Sequence, residues 1–441
     1  MHMADSTAEI AIVGAGPSGA HLAARLADAG RDVVLFDPKG AWEKPCGGGV
    51  PTRAIKEFAF LLDDSKYPRK AVNRITMISP VGRRVTLKVE EPFVIYSREV
   101  LNGLVLDRAI SAGARFVRAG VKDFSRAGDG WNILTDDGGR WSARFLVGAD
   151  GAASFTRRRL VGIFPKQDLA LAFGYNVEDA CADAVNASGN GNDKPVARAE
   201  ADEAIVSFPR DFTGYLWAFP RPGVMNFGVA SKLGERTSDD LRAALSDFVR
   251  DYYGGRMPEA ERTSFFGAKI PTLDLASWKG LRTGGEGWAL VGDAAGFADP
   301  ITGEGIYYAF KSADILADAL IGDRGRAGMA RQGRAPRSAN FGDQSDGVGV
   351  CGNGGPAEYN GAVAAYDKLW RGAFGRELEH ASYRLPQFYH SRFFGHIFTD
   401  AMIGLARHHR GVRTILLRAL TGEQSYITLK RDLLRRAYQV F

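Results

Sequence analysis

Apolar residues near the start of the chain form two short runs with a helical pattern between them. The first run closes at 11–13 and the second covers 32–36. Over 17–29 the apolar positions recur at helical spacing, and Gly30 stands where a helix C-cap belongs. This pattern predicts a strand, a helix and a second buried strand, which together make a βαβ unit.

Further along the chain, the same reading predicts more helices and strands. Helical spacing recurs over 101–110 and over 305–320. Short apolar runs predict strands at 115–117, 145–147 and 288–291. Residues 131–141 are typical of a hairpin that turns at Asp136-Asp137-Gly138-Gly139. Alternation with interleaved aromatic residues over 204–230 predicts an antiparallel sheet.

Two stretches lack this periodicity. Residues 181–202 contain few large apolar side chains, and 321–360 is rich in Gly, Asn, Ser and Arg. We expect most of 321–360 to be a flexible loop. A helical region is predicted from Gly361 onward, and the sequence contains no internal repeat.

The net charge of +6 comes from one end of the chain. Residues 402–441 hold eight Lys or Arg and two Asp or Glu, so the rest of the chain is neutral. A neutral body argues against a nucleic-acid binder, which needs many phosphate-neutralising residues on one face. The basic segment is interleaved with leucines. This favours solvated packing helices, with peripheral contact to an anionic membrane as the alternative.

Three cysteines, Cys46, Cys181 and Cys351, lie far apart in the sequence. Their number and spacing predict neither a disulfide framework nor a metal site, so we expect no bound metal. A reducing, cytoplasmic compartment is the natural expectation. The longest run without Lys, Arg, Asp or Glu covers 10–24, which is short of the ~20 apolar residues of a membrane span.

A glycine-rich turn, Gly14-Ala15-Gly16-Pro17-Ser18-Gly19, follows the first strand. Gly14 permits the tight turn, Gly16 lets the backbone approach a pyrophosphate, and Gly19 lets helix and strand pack closely. At Pro17 and Ser18 the helix begins, and its N–H groups and partial positive charge face the phosphates. Asp37 ends the second strand, where its carboxylate can accept hydrogen bonds from ribose hydroxyls. These features predict a bound dinucleotide rather than an unrelated glycine turn.

Two later strands end in turns that carry an aspartate. The first closes on Asp150-Gly151, and the second closes on Gly292-Asp293 and continues into the loop 300–305 ahead of a helix. Each turn alone is typical of an ordinary strand end. No second strand–glycine turn–helix unit is found in the sequence. NAD(P)H would therefore bind transiently, because the chain has no separate domain to bind it.

In this order the motifs resemble the FAD-dependent oxidoreductases that include p-hydroxybenzoate hydroxylase and the geranylgeranyl reductases. The resemblance implies that Asp293 holds the ribityl chain and that Gly303, Gly305 and Ile306 lie against the flavin ring. It also implies that Arg98 contacts FAD and that the Val121 backbone contacts the adenine. The residues that it assigns to FAD are Gly14, Gly16, Pro17, Ser18, Gly19, Asp37, Cys46, Gly47, Arg98, Val121, Asp150, Gly151, Gly292, Asp293, Gly303, Gly305 and Ile306.

Two further motifs narrow the resemblance to the geranylgeranyl reductases. Lys44-Pro45-Cys46-Gly47-Gly48-Gly49 is similar to their Pro-Cys-Gly-Gly segment. Residues 215–220, with Gly228 beyond them, are similar to their Tyr-x-Trp-x-Phe-Pro motif, and Ser425-Tyr426 resembles a feature of their C-terminal region. Flavin halogenases share the fold but typically carry Trp-x-Trp-x-Ile-Pro near this position. The segment 321–360 departs from the family pattern.

The expected fold class is α/β, with a Rossmann-type FAD-binding domain, an inserted antiparallel-sheet substrate domain and a helical C-terminal region. The expected FAD-binding domain is discontinuous, over 4–75, 95–165 and 280–322. The substrate domain covers 76–94 and 166–279, a flexible insertion covers 323–360, and the helical region covers 361–441.

The resemblance implies a reductase that transfers hydride from reduced flavin to carbon–carbon double bonds of a prenyl lipid-type substrate. Such a bond is a poor hydride acceptor, so a proton source and a site that tolerates cationic character are needed. Tyr215, Trp217 and Phe219 alternate along a strand and therefore share one face, where aromatic rings can stabilise positive charge. Tyr215 and Trp217 are candidate catalytic residues, whereas Phe219 is as easily a core residue.

Cys46 allows two interpretations, a proton donor or a small apolar residue in a loop that passes close to the flavin. Gly47 to Gly49 serve close backbone approach in either case. The alternative functions are a flavin-dependent monooxygenase or halogenase on the same fold, or a non-catalytic flavin-binding or lipid-carrier protein. NAD(P)H or another reductant would supply the electrons.

Overall fold

The computed structural model describes residues 6–63, 66–178, 202–210, 212–260, 263–332, 357–393 and 396–436. Its strands are β1 (Ser6–Val13), β2 (Val33–Phe36), β3 (Gly49–Val50), β4 (Lys70–Ala71), β5 (Arg74–Ile78), β6 (Arg84–Lys88), β7 (Val94–Ile95), β8 (Arg115–Val117), β9 (Val121–Ala127), β10 (Gly130–Thr135), β11 (Arg140–Gly148), β12 (Ala170–Glu178), β13 (Glu203–Ser207), β14 (Gly214–Arg221), β15 (Val224–Lys232), β16 (Thr263–Ile270), β17 (Gly284–Gly285), β18 (Trp288–Leu290), β19 (Arg392–Phe393) and β20 (His396–Ile397). Its α-helices are α1 (Pro17–Asp28), α2 (Thr52–Glu57), α3 (Arg98–Ser111), α4 (Phe155–Leu160), α5 (Ser238–Tyr252), α6 (Leu275–Lys279), α7 (Ile306–Gln332), α8 (Ala357–Trp370), α9 (Arg376–His390), α10 (Phe398–Ala406), α11 (Arg410–Leu420) and α12 (Leu429–Arg436).

A parallel sheet in the order β18-β11-β1-β2-β8 is the centre of one structural half of the fold, called here the first half. Its central strands are apolar and buried, as parallel strands covered on both faces require. Helix α1 packs against α3 and α7, and α7 packs against α8. The βαβ unit predicted at the N-terminus is present as β1, α1 and β2.

β11 belongs to two pairings at once. It runs parallel to β1 from Trp141 to Gly148, while its first half also pairs antiparallel with β10 in the predicted hairpin and its second half pairs parallel with β18. The sequence suggested two separate segments here, at 131–141 and 145–147. One continuous strand forms instead, because β1 pairs with the chain from Trp141 to Gly148.

The second sheet has the order β16-β12-β15-β14-β13-β5-β6. Its neighbours are antiparallel except for β13 and β5, which run parallel. Helix α5 covers one face through Leu241, Leu245 and Val249. The other face carries Tyr215, Trp217 and Phe219 of β14 and turns toward the loops of the first half. The antiparallel sheet expected over 204–230 is therefore present, and it extends well beyond that range.

A short sheet in the order β3-β7-β4 stands between the two halves. Its strand β3 begins in the glycine-rich segment 47–49, and its strand β7 ends shortly before the start of α3. Helices α10 and α11 pack against the second sheet, where Ile403 and Leu416 join a core with Ile75 and Val206. The helical C-terminal region expected from the sequence is present.

The predicted loop at 323–360 is wrong at both ends. Helix α7 continues to Gln332, and α8 begins at Ala357. The segment after Leu320 contains Ala, Arg, Met and Gln, whose helix propensities offset those of its glycines. The rest of this predicted loop, and nearly all of 181–202, lies outside the described residues. Within the described ranges, no helix has both the length and the apolar character needed to cross a membrane.

Candidate active site

A cavity of about 1200 Å³ lies where the loops after the parallel strands meet the second sheet. It runs from the glycine turn at Gly14–Ser18 past the aromatic residues of β14 to the segment 419–426 after α11. Apolar side chains bound the far part of the cavity: Ile75, Met77, Phe93, Val206, Phe208, Phe388, Leu416 and Leu420. One space therefore joins a polar, glycine-lined region to an apolar one.

Two of the three glycines in the turn, Gly14 and Gly19, leave no room for a side chain. Gly14 has a φ of 103°, and a Cβ there would lie 2.5 Å from the Ala149 carbonyl oxygen. A Cβ on Gly19 would lie 1.9 Å from the Gly14 oxygen, whereas nothing lies within 4 Å of one on Gly16. Helix α1 begins at Pro17 without a side-chain cap. The turn thus offers an open helix N-terminus to an anion such as a pyrophosphate.

Asp37, at the end of β2, holds the loops around this turn. Its Oδ2 accepts a hydrogen bond from the Ala15 N–H at 2.9 Å, and its Oδ1 accepts from Lys39 and Gly40 at 2.8 and 2.9 Å. A carboxylate has about four acceptor positions, so capacity for a ligand hydroxyl remains. Asp37 lines the cavity beside the turn.

Arg98 is a buried cation at the cavity wall. It is 4% exposed, its Nη2 donates to Asn102 Oδ1 at 3.3 Å, and its Nε has no hydrogen-bond partner among the described residues. A buried donor without a partner costs about 1–3 kcal/mol. Arg98 therefore fits a ligand that accepts hydrogen bonds.

Lys44 and Asp293 form an ion pair across the cavity, with an Nζ–Oδ2 distance of 3.1 Å. Gly151 lies close by, with a φ of 80°, and a Cβ there would be 3.6 Å from the Lys44 Nζ. The Asp150 carboxylate accepts hydrogen bonds from Ser154 Oγ and the Thr156 N–H at the start of α4. Burial raises the pKa of Asp150 in spite of these hydrogen bonds.

The loop that carries Cys46 is held by Arg221, at the end of β14. Arg221 donates to the Cys46 carbonyl oxygen and pairs with Glu43 at 2.8 Å. The Gly48 N–H donates to Cys46 Sγ at 3.3 Å. A Cβ on Gly48 would lie 2.0 Å from the Tyr96 oxygen, so only glycine fits there.

Glu43 ties the same loop to the start of α3. It accepts hydrogen bonds from Ser97 Oγ at 2.5 Å and from the N–H groups of Arg98 and Glu99 at 3.2 Å each. Burial acts to raise the pKa of Glu43, but the Ser97 hydrogen bond and the charge of Arg221 outweigh it and lower the pKa below its usual value.

The aromatic residues of β14 form one wall of the cavity. The ring centroids of Tyr215 and Trp217 are 5.8 Å apart, and those of Trp217 and Phe219 are 6.3 Å apart. Trp217 Nε1 donates to Asn226 at 2.7 Å, and a Cβ on Gly228 would lie 2.0 Å from the Trp217 ring. The shared face predicted from the alternation is confirmed, and all three side chains line the cavity.

The loop 299–305, between β18 and α7, is held by residues from distant parts of the chain. Asp299 accepts hydrogen bonds from the Ile301 and Thr302 N–H groups and from the Tyr426 hydroxyl at 2.8 Å. The Tyr389 hydroxyl donates to the Ile301 oxygen at 2.9 Å, and the Tyr215 hydroxyl donates to the Thr302 oxygen.

Most of the residues assigned from the sequence meet at this one cavity. Its wall includes Gly14, Gly16, Pro17, Ser18, Asp37, Cys46, Gly47, Arg98, Val121, Asp150, Gly151, Tyr215, Trp217, Asp293, Gly303, Gly305 and Ile306. Gly19 and Gly292 do not line it. Gly19 packs against Gly14, and a Cβ on Gly292 would lie 2.8 Å from Ser18 Oγ, so both serve close packing behind the wall.

Sequence reasoning missed Glu43, Arg221, Asn226 and Glu304, all of which hold or line the site. The position of Arg221, directly after the aromatic motif, was the one available signal for it. Within the described residues, no group of three or more His, Cys, Asp or Glu side chains is arranged to hold a metal ion.

Comparison with known proteins gives three kinds of match. The family of NAD(P)-binding Rossmann-like domains matches residues 12–60, which contain the glycine turn. A geranylgeranyl diphosphate reductase of Rhodobacter capsulatus is 31% identical over 316 residues, or 70% of this chain and 74% of that protein. A menaquinone reductase of Mycobacterium tuberculosis is 29% identical over 339 residues, or 72% of this chain and 77% of that protein.

Solved structures show the same fold. A geranylgeranyl bacteriochlorophyll reductase-like protein of Thermoplasma acidophilum matches with a TM-score of 0.70 and 18% identity, over 98% of this chain and 100% of that one. A flavin-dependent brominase matches with a TM-score of 0.64 and 15% identity, over 98% and 99% of the two chains.

Proposed function

Because this chain belongs to the geranylgeranyl reductase family of FAD-dependent oxidoreductases, we propose that it reduces carbon–carbon double bonds of a prenyl lipid-type substrate. Relatives named geranylgeranyl diphosphate reductase and menaquinone reductase have in common a prenyl chain in the named compound. The observation that carries the proposal is the single cavity, which joins the glycine turn to an apolar chamber beside the aromatic wall.

The residues at the polar end of the cavity fit FAD. The open N-terminus of α1 would receive the pyrophosphate, Asp37 a ribose and Asp293 the ribityl chain. Arg98, whose Nε lacks a partner, would donate to the bound cofactor. Lys44 would turn from Asp293 to an acceptor on the cofactor, since the ion pair occupies the space between Gly151 and Asp293.

The residues at the apolar end would hold the substrate and exclude water. Ile75, Met77, Val206 and Phe208 offer a surface without charges to an isoprenoid chain. When bound and reduced, FAD supplies hydride to the double bond. Tyr215 and Trp217 would face the carbon that becomes electron-poor, where each aromatic ring is worth about 0.5–2 kcal/mol to a cation.

Cys46 would hold a proton at its Sγ for the second carbon of the double bond. Arg221 and Gly48 fix the loop that carries this thiol, at the carbonyl oxygen and at the sulfur. The electron donor would be NAD(P)H or another reductant. The match to NAD(P)-binding domains covers the same glycine turn that we assign to FAD.

The basic C-terminal helices would rest on an anionic membrane that holds the lipid substrate. Lys430, Arg431 and Arg435 are exposed on α12, and Leu434 is 62% exposed between them. The preceding segment 419–426 lines the cavity. A lipid could therefore pass from the membrane to the site along one end of the molecule.

The test is anaerobic turnover of the FAD-loaded enzyme with a panel of prenyl diphosphates, prenylated glycerolipids and prenylquinones, followed by mass spectrometry. We expect a yellow protein and products that have gained two hydrogens for each double bond reduced. A product that gains oxygen or halogen would identify a monooxygenase or a halogenase instead. A protein that takes up no FAD on reconstitution would overturn the proposal.

A further inference from the structure

Glu304 is a carboxylic acid at the cavity wall to which the proposed function gives no task. It stands between Gly303 and Gly305 in the loop before α7, and it lines the cavity. Its Oε1 accepts a hydrogen bond from the Tyr307 N–H at 2.8 Å. A carboxylate that only capped the helix would not need to face the cavity.

Glu304 has no close counter-ion. Within the described ranges, no Lys, Arg or His nitrogen lies within 4.0 Å of its carboxylate. The titratable and charged groups that act on it are Asp299 of the same loop, Arg53 of α2, Tyr308 of α7 and Tyr215 of β14. Asp299 is a second acid in the same loop, and only Arg53 favours the ionised form among these side chains.

This environment brings the pKa of Glu304 close to neutral pH. Burial is the main cause that raises the pKa of Glu304 to about 7, and the nearby Asp299 adds to it. The N–H groups of Tyr307 and Ile306 and the charge of Arg53 act in the opposite direction. A general acid works best when its pKa lies near the working pH.

The position of Glu304 links the aromatic wall to the expected ribityl site. A Cβ on Gly303 would lie 3.9 Å from the Tyr215 hydroxyl, and one on Gly305 would lie 3.1 Å from Asp293 Oδ1. The Tyr215 phenol interacts electrostatically with Cys46, Asp299 and Glu304. Cys46, Tyr215 and Glu304 all line the same cavity.

Other acids at this end of the cavity are less suited to release a proton. Burial raises the pKa of Asp299, but its carboxylate accepts three hydrogen bonds that oppose this shift and occupy both of its oxygens. The Tyr215 hydroxyl donates to the Thr302 oxygen, and burial raises the pKa of Tyr215 further above neutrality. Asp150 caps α4.

We propose that Glu304 is a second catalytic acid of this site and the source of the single proton that each reduction consumes, which passes from its carboxyl group, by way of the Cys46 thiol, to a carbon of the substrate double bond. This inference rests on the proposed function. Reduced FAD supplies the hydride and its electron pair to one carbon, and the π electrons of the double bond form the new C–H bond with the proton from Glu304. The resulting carboxylate regains its proton from solvent before the next turnover.

The test compares the wild-type holoenzyme with Glu304→Gln. Glutamine keeps an oxygen for the Tyr307 N–H but has no proton to give, so we expect FAD to bind with close to wild-type affinity. We expect single-turnover reduction of the double bond by pre-reduced enzyme to slow by about 10²- to 10⁴-fold. The wild-type rate should fall as pH rises through the pKa of Glu304, and this fall should be missing in the variant.

An infrared difference titration of the cofactor-free protein gives a readout that does not depend on turnover. We expect the C=O band of a protonated carboxyl group to titrate near neutral pH in the wild type and to be missing in Glu304→Gln. Glu57→Gln is the matched control, because Glu57 contacts Tyr307 and Lys311 at the same helix but does not line the cavity. It should retain the band, the rate and the pH profile.

Failure of this inference can be told from failure of the proposed function. A wild type that reduces no prenyl substrate overturns the function, while the infrared titration still tests the protonation of Glu304. An active wild type matched by Glu304→Gln at every pH, or a band that survives in the variant, overturns the role of Glu304. If Glu304→Gln does not bind FAD, Glu304→Asp is the deciding variant. It retains a carboxylic acid, so its rate should be lower than that of the wild type but should still depend on pH. A rate in Glu304→Asp that does not depend on pH overturns the inference.

Discussion

Cys46 is held in position by contacts of its backbone as well as of its sulfur. Its carbonyl oxygen accepts from Arg221, and its sulfur accepts from the N–H two residues on. Replacing the sulfur leaves the contacts of the carbonyl oxygen unchanged. The chemical role of Cys46 can therefore be tested without dismantling the loop.

We expect Cys46→Ser to bind FAD normally and to reduce the substrate double bond roughly a hundredfold more slowly or worse, since a serine hydroxyl is a far weaker acid than a thiol. Flavin absorbance measures the binding, and single-turnover kinetics measure the rate. An unchanged rate in Cys46→Ser would remove the thiol from the chemistry.

The roles of single residues could be predicted where they depend on the local backbone. They could not be predicted where they depend on partners that are distant in the sequence. Gly14 and Gly16 were found because the turn that needs them lies between a strand and a helix that are adjacent in sequence. The raised pKa of Glu304 could not be recognised from the sequence, because Tyr215 and Arg53 approach it only in the folded chain. Arg221 was missed for the same reason, since its partner Glu43 lies far away in sequence.

Among the elements, the loop 43–49 and helix α3 act as a unit. Glu43 caps the start of α3 while Arg221 of β14 holds the loop from the other side. The pKa of Glu43 is lower in the folded protein than its ordinary value. Its contribution to stability is therefore present above about pH 4.3 and is lost as pH falls through the folded-state pKa.

We expect the free energy of unfolding to fall on acidification below about pH 4.3, and to fall less steeply in Glu43→Gln, which has no carboxylate to protonate. Urea unfolding at neutral and acidic pH measures the difference. Glu99→Gln is the control, because Glu99 lies in the first turn of α3, which Glu43 caps, and its side chain is exposed. Equal pH dependence in the wild type and Glu43→Gln would contradict the assignment.

Helices and strands were predicted correctly where a single stretch of hydrophobic pattern corresponds to a single element. α1 and β2 are local in this sense. The parallel pairing of β13 with β5 was not predictable, because it joins strands separated by several other elements. Helix α7 extends past its predicted end because alanine and arginine continue it where glycines suggested a stop.

Over the whole molecule, the charge is divided between a neutral body and a basic end. Helix α12 has no buried residues, and its Lys430, Arg431 and Arg435 are exposed. Each basic residue near an anionic membrane surface is worth about 1 kcal/mol, so a few of them suffice for measurable binding.

We expect the protein to co-sediment with vesicles that contain anionic lipid, and the bound fraction to fall with added salt because the attraction is screened. Lys430→Glu combined with Arg435→Glu should weaken this binding. Lys122→Glu combined with Lys279→Glu changes the net charge equally at exposed positions elsewhere and should weaken it less. Binding that does not depend on anionic lipid would contradict the proposed membrane contact.

The path of the chain through the parallel sheet also bears on how the protein is made. Between β11 and its neighbour β18, the chain contributes strands β12 to β16 of the second sheet. Asp293 and the loop 299–305 follow β18, so a chain emerging from the ribosome displays its glycine turn long before the cofactor pocket can close. Pairings of such high sequence separation form slowly and leave intermediates exposed to aggregation. FAD would bind only once this pocket is complete, and its binding would then stabilise the folded protein by mass action.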